Sequence, residues 1–245
     1  WLDKVATLIE SLPYMKRYSG LSVVIKFGGH AMGEQASIEA FASDIVLLQQ
    51  VGAKPVVVHG GGPQIGSMLS RLEMESNFID GLRVTDQQTI SIVEMVLAGA
   101  INKSLVTSIS AAGGMSVGIS GKDGNLMIAK KLTHRTKDTD SAIENLVDLG
   151  YVGIPDKVDK QVLDALLGVN MIPVVAPLGL GADGQTYNIN ADTAAGSIAS
   201  ALNASRLLML TDVDGVLDDS GELIPRLSIA QARQLILNGV IKGGM

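Results

Sequence analysis

Two kinds of apolar pattern alternate along this chain. Short, nearly unbroken runs of Val, Ile and Leu occur in "LSVVIKFGG", "KPVVVHGGG", "MIPVVAPLG" and "RLLMLTDVDGV". They lack polar alternation, the mark of strands buried on both faces. Between them lie longer stretches with apolar residues three and four apart. These are "AFASDIVLLQQVGA" ending at Gly52, "PQIGSMLSRL", residues 86–111, "VDKQVLDALLGVN", "TAAGSIASALNA" and "SIAQARQLILNGVI". That spacing predicts helices. "SVGISGKDG" reads as a strand and turn, and the polar stretch from "KLT" to "NLVDLGYVG" as an excursion with an edge hairpin. At the start, Trp1, Val5, Leu8, Leu12 and Met15 share one face of a predicted helix over 1–17, which Pro13 is expected to bend or end. The whole predicts an α/β protein, a three-layer α/β/α sandwich around a mainly parallel open sheet. A division is expected near residues 180–195, between a large first lobe and an incomplete second one.

Ligands in open parallel sheets bind beyond the carboxyl ends of the strands. Gly28–Gly29, Gly60–Gly62, Gly179 and Asp212–Gly215 all fall at predicted strand ends. In "VVVHGGGPQI" a strand runs through three glycines into a helix N-terminus, where bare N–H groups and the helix dipole attract an anion. A tight strand–helix turn would also use glycine. Neither GxxxxGK[ST] nor GxGxxG is present. Lys26 stands in an otherwise apolar strand, where a cation needs an anion or a route to solvent. Arg83 in "GLRVTD" can hold a carboxylate with a bidentate fork, or be a surface residue. Asn188, Asn190 and Asp192 alternate in "NINADTAAG", and on spacing alone Asp192 reads as a helix N-cap. Thr211 and Asp212 end a strand in "LTDVDGV", where an Asp-Gly turn is the plain reading. His59 reads as core-lining, and the three histidines show no metal spacing.

Composition narrows the chemistry. The chain has no Cys, which removes thiolate catalysis, disulfides and Cys-based zinc sites. Its net charge of −6 argues against nucleic acid or an anionic membrane as partner. No signal peptide and no apolar run of transmembrane length stand out. The chain opens on Trp1 and closes on "IKGGM" without an evident final element, so both ends are expected to be trimmed.

Taken in order, "VVIKFGGHAM", "VVVHGGGPQI", "DGLRVTD", "SGKDGNL", "YNINADTAAG" and "LLMLTDVDGV" resemble the N-acetyl-L-glutamate kinase branch of the amino acid kinase family, from about residue 9 onward. The glycine motifs alone are common to the wider family; "GLRVT" with "NINAD" is narrower. The resemblance implies transfer of the γ-phosphoryl group of ATP to the side-chain carboxylate of N-acetyl-L-glutamate. It implies Mg2+ carried mainly by the ATP phosphates, no protein metal site and a cytoplasmic location. It gives Lys26 the transferring phosphoryl oxygens, with backbone N–H groups of Gly28, Gly29, Gly61 and Gly62 on the same charge. Arg83 takes the substrate α-carboxylate, while Asn188 and Asn190 contact the acetylated amino acid. Asp192 orients Lys26, and Thr211 and Asp212 meet the nucleotide. It further implies a tail beyond Met245 with a second catalytic lysine. Residues 21–185 form the acetylglutamate lobe and 186–245 begin the ATP lobe. Residues 1–20, with "SLPYMKRYSG" and Tyr14, resemble the N-terminal helix of arginine-inhibited members. That points to a dimer or a hexamer built as a trimer of dimers, inhibition by L-arginine, and a PII-type regulator as a candidate partner. His30 departs from the family, which usually has Asn after the paired glycines. Alternatives are a γ-glutamyl, aspartate, carbamate or uridylate kinase, or a non-catalytic arginine-sensing module.

Overall fold

The computed structural model describes residues 1–28, 32–137, 144–211 and 213–241. Its centre is a five-stranded, all-parallel sheet of β1 (Ser22–Phe27), β2 (Lys54–His59), β5 (Ser116–Ser120), β8 (Ile172–Ala176) and β11 (Arg206–Leu210). The spatial order is β11-β1-β2-β8-β5, so the two strands that end in glycine loops are neighbours near the middle.

Side chains alternate across each strand and fill a core on either face. Val23, Ile25, Phe27 and Val57 pack with α2 (Gln35–Gln50) through Phe41, Ala42 and Ile45, and with α5 (Asn102–Ala111) through Leu105 and Ile109. Val24, Val56 and Val58 face the other way. They meet α6 (Gln161–Gly168) through Leu163 and Leu167, and α7 (Ala191–Ala201) through Ala194, Ala195 and Ile198. Lys26 is two residues beyond Val24, so the same pleat turns it toward the start of α7.

Several local expectations need correction. α1 (Leu2–Tyr18) continues past Pro13 and does not end there. It buries none of its residues, and Leu8, Ile9, Leu12 and Tyr14 are all exposed. The segment 86–111 is α4 (Gln87–Glu94), a π-helical stretch Met95–Ile101, then α5. This helix is long and apolar enough by length and composition to cross a membrane, contrary to the sequence expectation. Its Val93, Val96, Leu97, Ile101, Leu105 and Ile109 belong to the core. The polar excursion is more than an edge hairpin: β6 (Met127–Lys137) and β7 (Glu144–Val158) close into a barrel with β9 (Leu178–Gly181) and β10 (Thr186–Ile189). Gly179 lies inside that barrel, where a Cβ would meet Ile189 Cδ1 at 2.6 Å and Ala129 Cβ at 2.7 Å, so it serves packing and not a strand-end site.

A short hairpin, β3 (Phe78–Ile79) and β4 (Leu82–Arg83), leads into Thr85, whose backbone joins the barrel. Thr85 donates its N–H to Leu149 O at 2.9 Å and accepts from Tyr151 N at 2.7 Å. Gly150, between these partners, has φ +75. A Cβ there would lie 2.1 Å from Thr85 O. Gly150→Ala therefore combines left-handed strain with overpacking and is expected to cost about 2–4 kcal/mol. Gly184→Ala, at φ +76 with open space around it, carries the strain alone, about 1 kcal/mol. Urea denaturation of both variants checks the ordering.

Candidate active site

The carboxyl ends of β1 and β2 meet backbone to backbone. Gly60 donates to Phe27 O at 2.8 Å, and a Cβ on Gly60 would lie only 3.5 Å from Gly28 Cα. A cavity of about 310 Å³ opens beyond them. Lys26, Gly28, Gly60, Gly61, Gly62, Arg83, Asn188, Asn190 and Asp192 all line it. Eight residues predicted from sequence thus come together: Lys26, Gly28, Gly61, Gly62, Arg83, Asn188, Asn190 and Asp192. Gly29, His30 and Asp212 lie outside the described residues. Thr211 follows β11 on an exposed edge and is not among the cavity's lining residues, and Tyr14 is on the exposed α1.

Two helices begin at this cavity. α3 (Gly62–Arg71) has Gly61 as its N-cap and Pro63 in its first turn, where the missing N–H costs nothing. α7 is capped by Asn190, whose Oδ1 accepts from Asp192 N at 2.9 Å and Thr193 N at 3.0 Å. The spacing argument put the cap on Asp192, but β10 ends at Ile189 and the helix is capped two residues earlier, at Asn190. Asn190 performs the cap, and the Asp192 carboxylate is released toward the strand. Lys26 Nζ lies 3.0 Å from Asp192 Oδ1. That is ion-pair distance but off a hydrogen-bond direction, so the buried oxygen keeps a lone pair for another donor. Lys26 can fold back because Gly28 has no side chain: a Cβ there would touch its Cε at 3.0 Å and its Nζ at 3.2 Å.

Arg83 closes the opposite wall, only 7% exposed. Its Nη2 donates to Gly62 O at 3.0 Å, its Nη1 donates to Ser76 Oγ, and its guanidinium sits 4.5 Å from the centre of the Phe78 ring. Desolvation lowers its pKa from an ordinary value so high that the group stays cationic. Two cations and two helix N-termini thus converge against one carboxylate. The arrangement suits a multiply charged anion, each helix end contributing about 0.3–1 kcal/mol. Among the described residues no three His, Asp or Glu side chains gather to hold a metal.

Sequence reading missed His59 as more than core. It is fully buried at the end of β2, with Nδ1 2.9 Å from Gly60 O and Nε2 3.2 Å from Asn102 Nδ2. Burial lowers its pKa to about 4, partly opposed by the Gly60 hydrogen bond. The "SGKDGNL" segment does more than turn the chain. Lys122 there pairs with Glu94 at 2.7 Å and donates to Thr186 Oγ1 at 2.8 Å, tying α4 to β10 behind the Asn188 wall.

Comparison with known proteins gives a consistent picture. The amino acid kinase family matches residues 22–245. The acetylglutamate kinase of Acidiphilium cryptum is 60% identical over 235 residues, 96% of this chain and 79% of that protein. That of Rhodospirillum centenum is 57% identical over 245 residues, 100% of this chain and 80% of that protein. Among solved structures, N-acetylglutamate synthase from Neisseria gonorrhoeae with coenzyme A and N-acetyl-glutamate superposes with a TM-score of 0.77 at 27% identity, over 94% of this chain and 51% of that one. The same synthase with coenzyme A and L-arginine gives 0.71 at 25%, over 96% and 56%.

The buried His59 makes stability depend on pH. Its unfolded pKa is 6.5 and its folded value about 4, so between these the unfolded chain binds more protons. Its stabilising contribution is complete above pH 6.5 and is lost as pH falls through about 4, on the order of 3 kcal/mol in all. The stability gap between wild type and His59→Asn, measured by urea denaturation, is expected to shrink steadily from pH 7 to pH 4.5.

Proposed function

The chain belongs to the amino acid kinase family, among its acetylglutamate kinases, and from that premise we propose that it transfers the γ-phosphoryl group of ATP to the side-chain carboxylate of N-acetyl-L-glutamate. The observation that carries this reading is the single cavity on which Lys26, Arg83 and the N-termini of α3 and α7 converge.

The chemistry asks little of a base. A glutamate-like carboxylate, with a pKa of about 4.3, is already ionised at neutral pH and attacks phosphorus directly. The obstacle is repulsion, about 4 kcal/mol for two unit charges ~4 Å apart at an effective dielectric of ~20. Lys26 lies on the transferring oxygens, and the N–H groups of Gly28, Gly61 and Gly62 add aimed donors. Asp192 holds the Lys26 ammonium forward. Arg83 takes the substrate α-carboxylate with the N–H groups that Gly62 and Ser76 leave open, and Asn188 meets the acetylamino group. Thr211 and Asp212 contact the nucleotide, and Mg2+, when bound, would be carried mainly by the ATP phosphates and would offset their charge. Residues 21–185 serve as the acetylglutamate lobe and 186–245 belong to the ATP lobe, in a cytoplasmic enzyme.

The exposed apolar stripe of α1 supports a second assignment. Leu8 and Leu12 face solvent from a helix with no buried residue, so a second copy is its natural cover. We assign residues 1–20 to assembly into a hexamer, a trimer of dimers, and to inhibition by L-arginine with Tyr14 at that site. A structural relative carrying L-arginine supports this.

ATP consumption with acetylglutamate, set against free glutamate, aspartate, carbamate and UMP, tests the reaction; preference for any of the others would replace it. Lys26→Ala is expected to lower kcat by about 10²–10³-fold with little change in KM. Arg83→Lys is expected instead to raise KM for acetylglutamate and leave that for ATP near its original value. Deleting residues 1–17 is expected to leave an active, smaller oligomer with weakened arginine inhibition. A hexamer by light scattering after that deletion, with inhibition intact, would remove the assembly role from α1.

A further inference from the structure

The proposed reaction needs the Gly60–Gly62 loop to aim its N–H groups in fixed directions, yet glycine is the residue least able to fix its own backbone. The fixing elements lie behind the loop. Asn102 Nδ2 is 2.9 Å from Val174 O and 3.3 Å from Ile119 O, while Asn102 Oδ1 is 3.2 Å from Lys103 Nζ. Carbonyl oxygens only accept and an ammonium only donates, so the amide has one allowed orientation. The two Nδ2 hydrogens are thus shared among three acceptors, and His59 Nε2, 3.2 Å from this donor-only group, faces it as the unprotonated nitrogen. Its Nδ1 carries the proton and donates to Gly60 O at 2.9 Å.

We propose that His59 and Asn102 are positioning residues that set the peptide between Gly60 and Gly61, and with it the direction of the phosphate-facing N–H of Gly61. The carbonyl of Gly60 and the N–H of Gly61 belong to one planar trans peptide and point in opposite directions. Holding the carbonyl against a buried imidazole aims the N–H away from the core. The π-helical stretch Met95–Ile101 supplies the rest. Its Leu97 and Ile101 press on Gly61, where a Cβ would lie 2.7 Å and 2.5 Å from them, and Asn102 follows at once. Such turns are rare and are frequent at functional sites, and the inserted residue re-registers the helix on either side. β5 makes room for the amide with Gly118, where a Cβ would stand 1.8 Å from Asn102 Oδ1. Loop, strand end and π-turn thus form one device, whose catalytic meaning rests on the phosphoryl-transfer reading above.

Two measurements test it. The first is ¹⁵N NMR of the His59 imidazole in the ligand-free protein, independent of any substrate. A neutral ring protonated at Nδ1 at pH 6 is expected; a proton on Nε2, or a charged ring at that pH, overturns the proposal. The second compares two variants by steady-state kinetics and melting temperature. The amide nitrogen of His59→Asn reaches the place of Nδ1 and can still donate to Gly60 O. The amide of His59→Gln reaches the place of Nε2, keeping Asn102 but releasing Gly60. His59→Gln is expected to lower kcat by about 10–100-fold, with KM for acetylglutamate changed less than about threefold, and His59→Asn to lose clearly less. Equal kcat losses that follow the melting temperatures, or a loss confined to KM, would make His59 a merely structural residue. Should wild type fail to phosphorylate acetylglutamate, that reading falls by itself. The positioning claim is then decided by the tautomer and by the Gly61 amide resonance, which must move in His59→Gln more than in His59→Asn.

Discussion

Everything at the cavity depends on keeping a cation near the carboxyl end of a buried parallel strand. Lys26 stands between apolar neighbours, and a lone ammonium there would be strongly unfavourable. It is tolerated because Asp192 lies 3.0 Å away across the sheet face. That position exists only because Asn190, not Asp192, caps α7 and leaves the carboxylate unengaged. An ion pair of this kind adds little stability of its own. What it provides is a cation held in place beside the anion site, with an acceptor oxygen still open next to it.

The opposite wall is built by a different route. Arg83 leaves a two-residue strand that could not hold its place alone. Thr85, two residues on, is hydrogen-bonded into the barrel on both sides of Gly150. Asp86 then caps α4 by accepting from Thr89 N at 2.7 Å. The arginine is therefore anchored from both directions before it reaches Gly62, Ser76 and Phe78. The barrel is in this sense the support of the anion site, although none of its strands belongs to the parallel sheet.

The glycine loops show how little a motif does unaided. Gly28 is bare so that Lys26 can lie over it, and Gly61 because Leu97 and Ile101 occupy the space of a side chain. Gly62 has nothing within 4 Å of where its Cβ would be and faces the cavity itself. Three residues of one type thus meet three different demands, and each demand comes from elsewhere in the chain.

This division follows what a sequence can carry. The uninterrupted Val-Ile-Leu runs and the helical spacing between them determined a parallel sheet with helices on both faces, since burial on two sides leaves no polar alternation. The placing of glycines at strand ends marked the rim, and Lys26 stood out as a charge in an apolar strand, whereas Arg83 read equally as a surface residue and gained its role from the resemblance. Those are local signals, and local periodicity transmits them. The four-stranded barrel, the β3–β4 hairpin and the π-turn were not legible, because short strands and one inserted helical residue leave no period to read. Nor was the transfer of the α7 cap from Asp192 to Asn190, two residues earlier, which the point of strand exit decides. His59 was read as core because a buried histidine and a positioning histidine have the same sequence. Only the fold brings Asn102, 43 residues away, to the ring and so fixes which nitrogen holds the proton.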